Sequence, residues 1–464
     1  MSDERRVPCP LCQAPILEGA RKCKACRKWL PAHDPQPPRF SRAFAILLTA
    51  VSTVLAVLVS KRPSAVGDAP PLTPLPTDAA AAGPSAPAPG SIGPEPEVEP
   101  APKPLDPSRP WHAREIRIGD VHPLDLAFSP SGKSVYVSGD DATLREYRIK
   151  NGDLVHQASM PAQGDAIRVL FDRYVAMLRR QDAARIPVMD TTTWDKDPIL
   201  LDVGRSPGDI VAMPDGHTVI AASTQAKRVT RFDLPTGTRL ADITLAHATG
   251  QLFVLKSVEG RPLLAAMGAL THAGQPAGAW ADLFDPTEGP FGATRRSVSV
   301  GREPRPGAVT NDGGAVFFPD RVSNTAVLLK VAGVTEARTV AVGRGPEKAY
   351  LLDDDRYGVT IDAAGRTATV VALPSMERRA TLELKGVPCS GEAARDKKTL
   401  FVALGGGAYP PKGSGVAVIT GDPPRVVASL PTGRGACNVA VSADGTRAAV
   451  ANYQSKSITI VEQP

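Results

Sequence analysis

A motif that recurs about every 44 residues over residues 111–464 constrains the fold of this chain most strongly. Each copy contains a Gly-rich turn, an apolar strand, an Asp-Gly-type turn and a second apolar strand, most clearly in residues 433–452. A period of this length with several short strands per unit is typical of a β-propeller. We assign one hairpin-turn residue to each copy, at spacings of 41 to 53: Ser131, Asp172, Asp215, Glu259, Asp312, Asp354, Asp396 and Asp444.

The number of copies predicts an all-β, eight-bladed propeller. The last copy contains only three strands, and residues 114–118 before the first copy supply a fourth. This strand would close the ring onto the last blade and remove exposed sheet edges. Seven blades is the alternative, because the copy at residues 161–203 diverges from the others.

The last copy also resembles a known repeat family. Its segments Ala440-Val-Ser-Ala-Asp-Gly445, Val450-Ala-Asn452 and Ile458-Thr-Ile-Val461 are similar to the YVTN-type repeat of lactonase-like β-propellers. The resemblance implies the propeller fold. It implies no particular reaction, since this scaffold carries binders, hydrolases and redox enzymes.

Four cysteines near the start of the chain predict a zinc site. They form two C-x2-C pairs separated by ten residues: Cys9, Cys12, Cys23 and Cys26. Two such turns complete the tetrahedral four-sulfur shell that zinc accepts. Two disulfides, free thiols or an iron–sulfur cluster are the alternatives. Four cysteines leave no open coordination position, so the expected role of the zinc is structural.

The same segment, residues 1–32, resembles the small zinc-ribbon modules at the termini of bacterial membrane proteins. The resemblance rests on the cysteine pairs together with Ile16, Leu17, Lys22 and Leu30, and it implies metal binding. Arg27 departs from the family pattern, in which Gly often follows the second pair.

Residues 43–60 predict a single transmembrane helix. The 18 residues carry no charge and would extend ~27 Å as a helix, close to the ~30 Å of a bilayer core. A basic juxtamembrane segment, residues 33–42, precedes them, and residues 1–42 hold nine Lys/Arg. The positive-inside rule therefore places the N-terminal side in the cytoplasm and the propeller outside, in the periplasm or the extracellular space. The reducing cytoplasm also suits zinc thiolates.

Residues 61–110 predict a disordered Pro/Ala-rich linker, and residues 111–464 form the propeller domain. The linker has too few apolar side chains to form a core. Net charge is +5 over residues 1–42 and only +1 over the rest of the chain, so nucleic-acid binding is not expected.

Two features of the propeller are candidate sites. The first is a predicted ring of arginines, each following the Gly that opens a copy, at one rim of the channel: Arg205, Arg302, Arg344 and Arg434. Insertions at residues 269–279 and 405–415 are expected on the same face, because each joins a second strand to a third. Four guanidinium groups would attract an acidic ligand, whereas the alternative is that they are solvated turn residues.

The second feature is Cys389 and Cys437, which occupy the same position in adjacent copies. An oxidising compartment would permit a disulfide between the last two blades, and two free thiols are the alternative.

No nucleophile elbow, H-E-x-x-H motif or phosphate-binding loop occurs in the chain. We therefore expect a non-enzymatic, membrane-anchored binding or scaffold protein whose propeller binds a protein or glycan. The alternatives are a lactonase-like enzyme outside the cytoplasm and, less favoured, a sensor that signals across the membrane. Titratable side chains with shifted pKa values in one channel would favour the enzyme.

Overall fold

The structure, a computed structural model, describes residues 6–8, 15–17, 109–179, 183–272, 275–332, 335–406 and 410–463. The chain divides into two compact units, Met1–Pro96 and Glu97–Pro464. In the first unit, β1 (Arg6–Pro8) pairs antiparallel with β2 (Pro15–Leu17). The predicted zinc ligands, the membrane span and linker residues 61–108 lie outside the described residues.

The second unit contains eight four-stranded antiparallel sheets, which are the blades of a β-propeller. The first four blades, from the inner strand outward, are β4 (Pro123–Phe128), β5 (Ser134–Gly139), β6 (Thr143–Lys150) and β7 (Asp153–Pro161); β8 (Ala166–Leu170), β9 (Tyr174–Leu178), β10 (Arg185–Asp190) and β11 (Ile199–Asp202); β12 (Pro207–Ala212), β13 (Thr218–Ser223), β14 (Arg228–Asp233) and β15 (Thr238–Thr244); β16 (Ala248–Lys256), β17 (Pro262–His272), β18 (Gln275–Phe284) and β19 (Arg296–Gly301).

Blades 5 to 8 follow the same order. They are β20 (Ala308–Val309), β21 (Ala315–Asp320), β22 (Thr325–Lys330) and β23 (Glu336–Ala341); β24 (Pro346–Leu352), β25 (Tyr357–Asp362), β26 (Thr367–Ala372) and β27 (Glu377–Glu383); β28 (Ser390–Ala393), β29 (Thr399–Ala403), β30 (Val416–Thr420) and β31 (Arg425–Leu430); β32 (Ala436–Val441), β33 (Arg447–Asn452), β34 (Ser457–Glu462) and β3 (His112–Arg117).

The predicted eight blades are confirmed, and the described residues contain no helix. The divergent copy at residues 161–203 folds as blade 2, because its strands keep the apolar pattern even though its turn signals differ. All five residues of β9 are buried, as are Ile186 and Val188 of β10.

The predicted closure of the ring is also confirmed. Strand β3 pairs antiparallel with β34, with Arg114 opposite Ile460, and becomes the outer strand of blade 8. At the seam between blades 8 and 1, Leu126 and Phe128 pack with Ala440 and Ile458. Closure therefore joins the two ends of the domain by a hydrogen-bonded ladder and a continuous apolar core.

The hydrophobic core lies between neighbouring blades rather than in one central cluster. Second strands are buried along their whole length, as in β5 and β13. Outer strands such as β23 are mostly exposed. Apolar side chains fill the spaces between blades. The inner strands surround a central channel whose lining includes polar and charged side chains.

Candidate ligand-binding channel

The inner strands enclose a cavity of about 1060 Å³ along the propeller axis. Its walls carry charged side chains from five blades, among them Asp125, Arg168, Arg305, Lys348 and Glu392. A cavity of this size with convergent polar groups has the character of a ligand site.

A β-bulge at the start of five inner strands positions one polar side chain in each, including Asp125 and Lys348. The residue after each bulge forms a hydrogen bond to the backbone of the next blade. The five contacts are Asp125 to Ile167 N (2.8 Å), Asp209 to Leu252 N (3.1 Å), Gln251 to Pro304 O (2.8 Å), Lys348 to Gly391 O (2.9 Å) and Asn438 to Leu124 O (2.7 Å). These side chains therefore tie neighbouring blades together, and Asp125, Lys348 and Asn438 also line the channel.

Glu392 of β28 differs from Asp125, the acidic group nearest to it in the electrostatics of the channel. Its side chain is exposed to the cavity, and its carboxyl accepts no hydrogen bond from any residue that the structure describes. Glu392 is accessible to water, but the walls of the cavity lie around it. Desolvation is the largest cause, the charges of Lys348 and Arg168 oppose it, the charge of Asp125 adds to it, and the net effect raises the pKa of Glu392 to about 7.

Asp125 lies in the same electrostatic neighbourhood but has fixed partners. Its carboxylate accepts the N–H groups of Ile167 and Leu126 at 2.8 and 2.9 Å. Desolvation raises the pKa of Asp125, and these N–H groups together with Arg168 limit the rise. Asp125 is therefore committed to holding strand β8, whereas Glu392 is available to a ligand.

An ion pair crosses the channel at the end where the inner strands finish. Arg395, after β28 of blade 7, lies 3.2 Å from Asp172, after β8 of blade 2. The pair therefore links two blades that are separated along the ring by blades 8 and 1. Both side chains are well exposed, so the pair is screened and is worth little as a stabilising contact. It narrows this end of the cavity, which both residues line.

The opposite end carries a network of two cations and two carboxylates. Arg305 lies 2.7 Å from Glu347, and Arg321 lies 3.1 Å from Glu347 and 3.6 Å from Glu303. These groups compensate each other's charge, so this mouth is polar without a strong excess of either sign.

The four arginines predicted to form a rim are all exposed, at the turns that open their blades. None of them is among the residues that line the cavity. The backbone N–H of Arg302 donates to Asp320 at 2.6 Å, and that of Arg434 donates to Ser455 at 2.8 Å. A ligand-binding role of Arg205, Arg302, Arg344 and Arg434 stays a prediction.

The structure places the two predicted insertions between second and third strands, as expected. Residues 269–279 extend the β17–β18 hairpin, and within residues 405–415 Pro411 lines the cavity. The backbone of Gly413 donates to Gly405 O at 2.7 Å, and Gly435 N donates to Gly413 O at 2.7 Å. The second insertion therefore lies against blade 8.

Cys389 and Cys437 lie together in the channel wall as free cysteines, not as the predicted disulfide. The Cys389 thiol approaches the carbonyl oxygens of Ala436 and Cys437 at 3.2 and 3.1 Å. Burial raises the pKa of the Cys389 thiol to about 11 and that of Cys437 to about 12, so both are poor nucleophiles at neutral pH. The disulfide stays a prediction for the oxidised protein.

The sequence analysis missed Asp125, Arg168, Lys348, Glu392 and Arg395. A positional signal existed for part of the channel. Asp125, Asp209, Lys348 and Asn438 each stand six residues before the turn residue of their copy. Comparison of that column across the copies would have identified a polar ring in the channel.

Within the described residues, no group of histidine, cysteine or carboxylate side chains has the arrangement of a metal site. In the same part of the chain, no helix is long and apolar enough to cross a membrane. The predicted zinc ligands and the span at residues 43–60 fall outside that part.

Comparison with solved structures gives the fold and little else. The C-terminal WD40 domain of Sif2 has a TM-score of 0.58 at 11% identity, over 76% of this chain and 97% of that domain. Hydrazine synthase of Kuenenia stuttgartiensis has a TM-score of 0.48 at 17% identity, over 74% of this chain and 96% of the other. A functionally unknown protein from Desulfotomaculum acetoxidans has a TM-score of 0.47 at 13% identity, over 61% and 90%.

No protein-family model matches the chain, and no curated protein matches it. Likeness at these identities shows the propeller fold alone.

Proposed function

We propose that this chain is a single-pass, membrane-anchored binding protein whose propeller holds an acidic group of a glycan or protein in its central channel. A structural zinc ribbon in the cytoplasm, with Cys9, Cys12, Cys23 and Cys26 as ligands, and an extracytoplasmic propeller complete the proposal. The observation that carries it is the convergence of Arg168, Lys348 and Arg395 on one cavity.

The chemistry of the lining favours an anionic ligand. Arginine presents planar donors that suit carboxylate and sulfate groups, and lysine adds a compact charge. Asp125 and Asp209 each accept a backbone N–H of the neighbouring blade, and Asp209 also lies 3.5 Å from Arg168 Nε, so an anionic ligand competes with Asp209 for this guanidinium. The low polarity of the surrounding blades strengthens each interaction with the ligand.

The test compares acidic with neutral oligosaccharides on the full-length protein in lipid nanodiscs. We expect polygalacturonate fragments to bind and malto-oligosaccharides not to bind, with affinity falling as salt is raised. The double variant Arg168→Gln, Lys348→Gln should reduce affinity at least tenfold, whereas Arg425→Gln on the exposed strand β31 should not. Equal binding of neutral and acidic probes, or no effect of the double variant, would overturn the proposal.

The exposed arginines are tested separately. If Arg205, Arg302, Arg344 and Arg434 guide an acidic ligand to the channel, changing all four to Gln should slow association more than dissociation. Unchanged association would restrict binding to the channel itself.

An extracytoplasmic hydrolase of the lactonase-like kind is the second candidate, and Glu392 favours it. A carboxyl with a pKa of about 7 beside cations is suited to act as a general base on water. Incubation with a panel of lactones and esters tests this function. Turnover that disappears in Glu392→Gln would support an enzyme, and absence of turnover across the panel would leave the binding function.

The membrane and zinc proposals have their own readouts. We expect one equivalent of zinc per chain, lost in Cys9→Ser or Cys23→Ser. Deletion of residues 43–60 should release the protein from membranes. A metal-free protein, or one that is soluble with this segment intact, would refute the corresponding part.

A further inference from the structure

The cations of the channel attract an anion, but a charged Glu392 carboxylate beside them would repel it. Adding a proton to Glu392 removes this conflict. Lys348, Glu392 and Arg395 line the same cavity, and Lys348 Nζ donates to the carbonyl oxygen of Gly391, the residue before Glu392, at 2.9 Å. An anion that contacts Lys348 or Arg395 therefore lies near the Glu392 carboxyl. A charged carboxylate would repel the ligand, whereas a neutral acid can donate a short, charge-assisted O–H···O hydrogen bond.

Resting on the anion-binding function proposed above, we propose that Glu392 binds the ligand's anionic group as a neutral carboxylic acid. Each anion bound in the channel therefore takes up one proton. The geometry behind this is the lack of any hydrogen-bond donor to Glu392 among the described residues, within a cavity that has room for a ligand.

The ionisable groups around Glu392 are less suited than Glu392 itself to take up the proton. They come from every element around it: Asp125 on β4, Arg168 on β8, Lys348 and Tyr350 on β24, and Arg395 after β28. The guanidinium groups stay protonated in proteins. Burial raises the pKa of Tyr350 well above 10, so Tyr350 stays neutral.

The Cys389 and Cys437 thiols beside this cluster are also neutral below pH 9, with pKa values raised by burial to about 11 and 12. Among these neighbours Asp125 is the other acid that could gain a proton, but a proton on it would weaken its acceptance of two backbone N–H bonds. Glu392 has no such bond to lose.

Sulfate is the probe for this inference, because it stays a dianion between pH 5.5 and pH 8.5. Calorimetry on the full-length protein in nanodiscs, in two buffers of different ionisation enthalpy, measures the protons taken up on binding. We expect uptake approaching one proton near pH 7.5, and sulfate affinity that falls by up to about tenfold per pH unit above pH 7.

Glu392→Gln keeps a neutral donor in place and should bind sulfate with pH-independent affinity and no proton uptake. Glu377→Gln on the exposed strand β27 is the matched control and should behave as wild type. Uptake that persists in Glu392→Gln and disappears in Asp125→Asn would overturn the assignment to Glu392. Sulfate binding by the wild type without any proton uptake would overturn the inference alone, whereas no sulfate binding at any pH would overturn the anion-binding function itself.

Discussion

Asp362, at the end of β25, should make the stability of the propeller depend on pH. Its side chain is fully buried and accepts hydrogen bonds from the hydroxyls of Thr360 (2.8 Å), Thr369 (2.7 Å) and Thr367 (3.2 Å). Desolvation outweighs these contacts and raises the pKa of Asp362 from 3.8 to about 6. The native state therefore holds a proton that the unfolded chain has already released in this range.

The sign and size of the effect follow from linkage. Between pH 3.8 and about 6 the native state binds more protons than the unfolded state, so the free energy of unfolding falls as pH rises. A shift of about 2 units corresponds to about 3 kcal/mol. The loss begins near pH 4 and is complete above pH 6 to 7.

Blade 8 provides a natural version of the variant that tests this. Asn452 occupies the corresponding place, opposite Ser457 as Asp362 is opposite Thr367. The Asn452 amide donates to Ser457 Oγ at 3.0 Å and to Thr459 Oγ1 at 2.8 Å. Asp362→Asn should therefore be accommodated by rotating the threonine hydroxyls.

Urea unfolding of the full-length protein, measured from pH 4 to pH 7.5 and followed by tryptophan fluorescence, is the assay. In wild type the free energy of unfolding should fall by about 3 kcal/mol over this pH range, and we expect Asp362→Asn to abolish this fall. The variant should therefore be more stable than wild type at pH 7. The reverse change, Asn452→Asp, should add a similar loss. Parallel pH profiles of wild type and Asp362→Asn would refute the reasoning.

Two further predictions concern the seam between blades 7 and 8. Gly405→Ala should destabilise the propeller by several kcal/mol, because a Cβ there would lie 1.9 Å from Ala436 O. The control Gly250→Ala should be mild, because its Cβ would meet only Thr224 at 3.8 Å. Thermal unfolding compares the two variants, and equal melting temperatures would contradict the clash. Exposure of the protein to an oxidising buffer should join Cys389 to Cys437 and stabilise the seam by up to ~4 kcal/mol, and a non-reducing mass that still shows two free thiols would reject the bridge.

The architecture was predictable because it is repeated. Eight turn residues and one displaced strand, residues 114–118, were enough to give the blade number and the closure onto β34. Apolar alternation in each copy is a local signal, and it survives even in the divergent blade 2. The positions of the two insertions, residues 269–279 and 405–415, were predictable for the same reason, because each interrupts the repeat between its second and third strands.

The channel was less predictable because its geometry depends on bulges and on contacts between distant copies. The sequence suggested Arg302 as a channel-rim residue, yet Arg305 lines the cavity. The pair Arg395 and Asp172 joins residues 223 positions apart, and no pattern within one copy reports it. No described residue donates a hydrogen bond to Glu392, and this too depends on how neighbouring blades assemble rather than on a pattern within one copy.

Blades 2, 5 and 7 lack the bulge and its contact that the other five inner strands share, and in blade 7 this departure lies beside Glu392. In five blades the residue after the bulge carries a carboxylate, amide or ammonium group that reaches the next blade. Blade 7 has Ser390 at this position, whose hydroxyl makes no such bond among the described residues, and the Cys389 thiol contacts Ala436 O instead.

A short side chain at that position leaves space in the wall beside Glu392, two residues further along β28. A sequence shaped only for stability would place another amide there, because each bond between blades is favourable and Asn438 shows that the position accepts one. Local departures from an otherwise consistent pattern concentrate at functional sites. Ser390→Asn should therefore stabilise the junction of blades 7 and 8 while weakening sulfate binding, and a variant that gains stability with undiminished binding would contradict the location of the site.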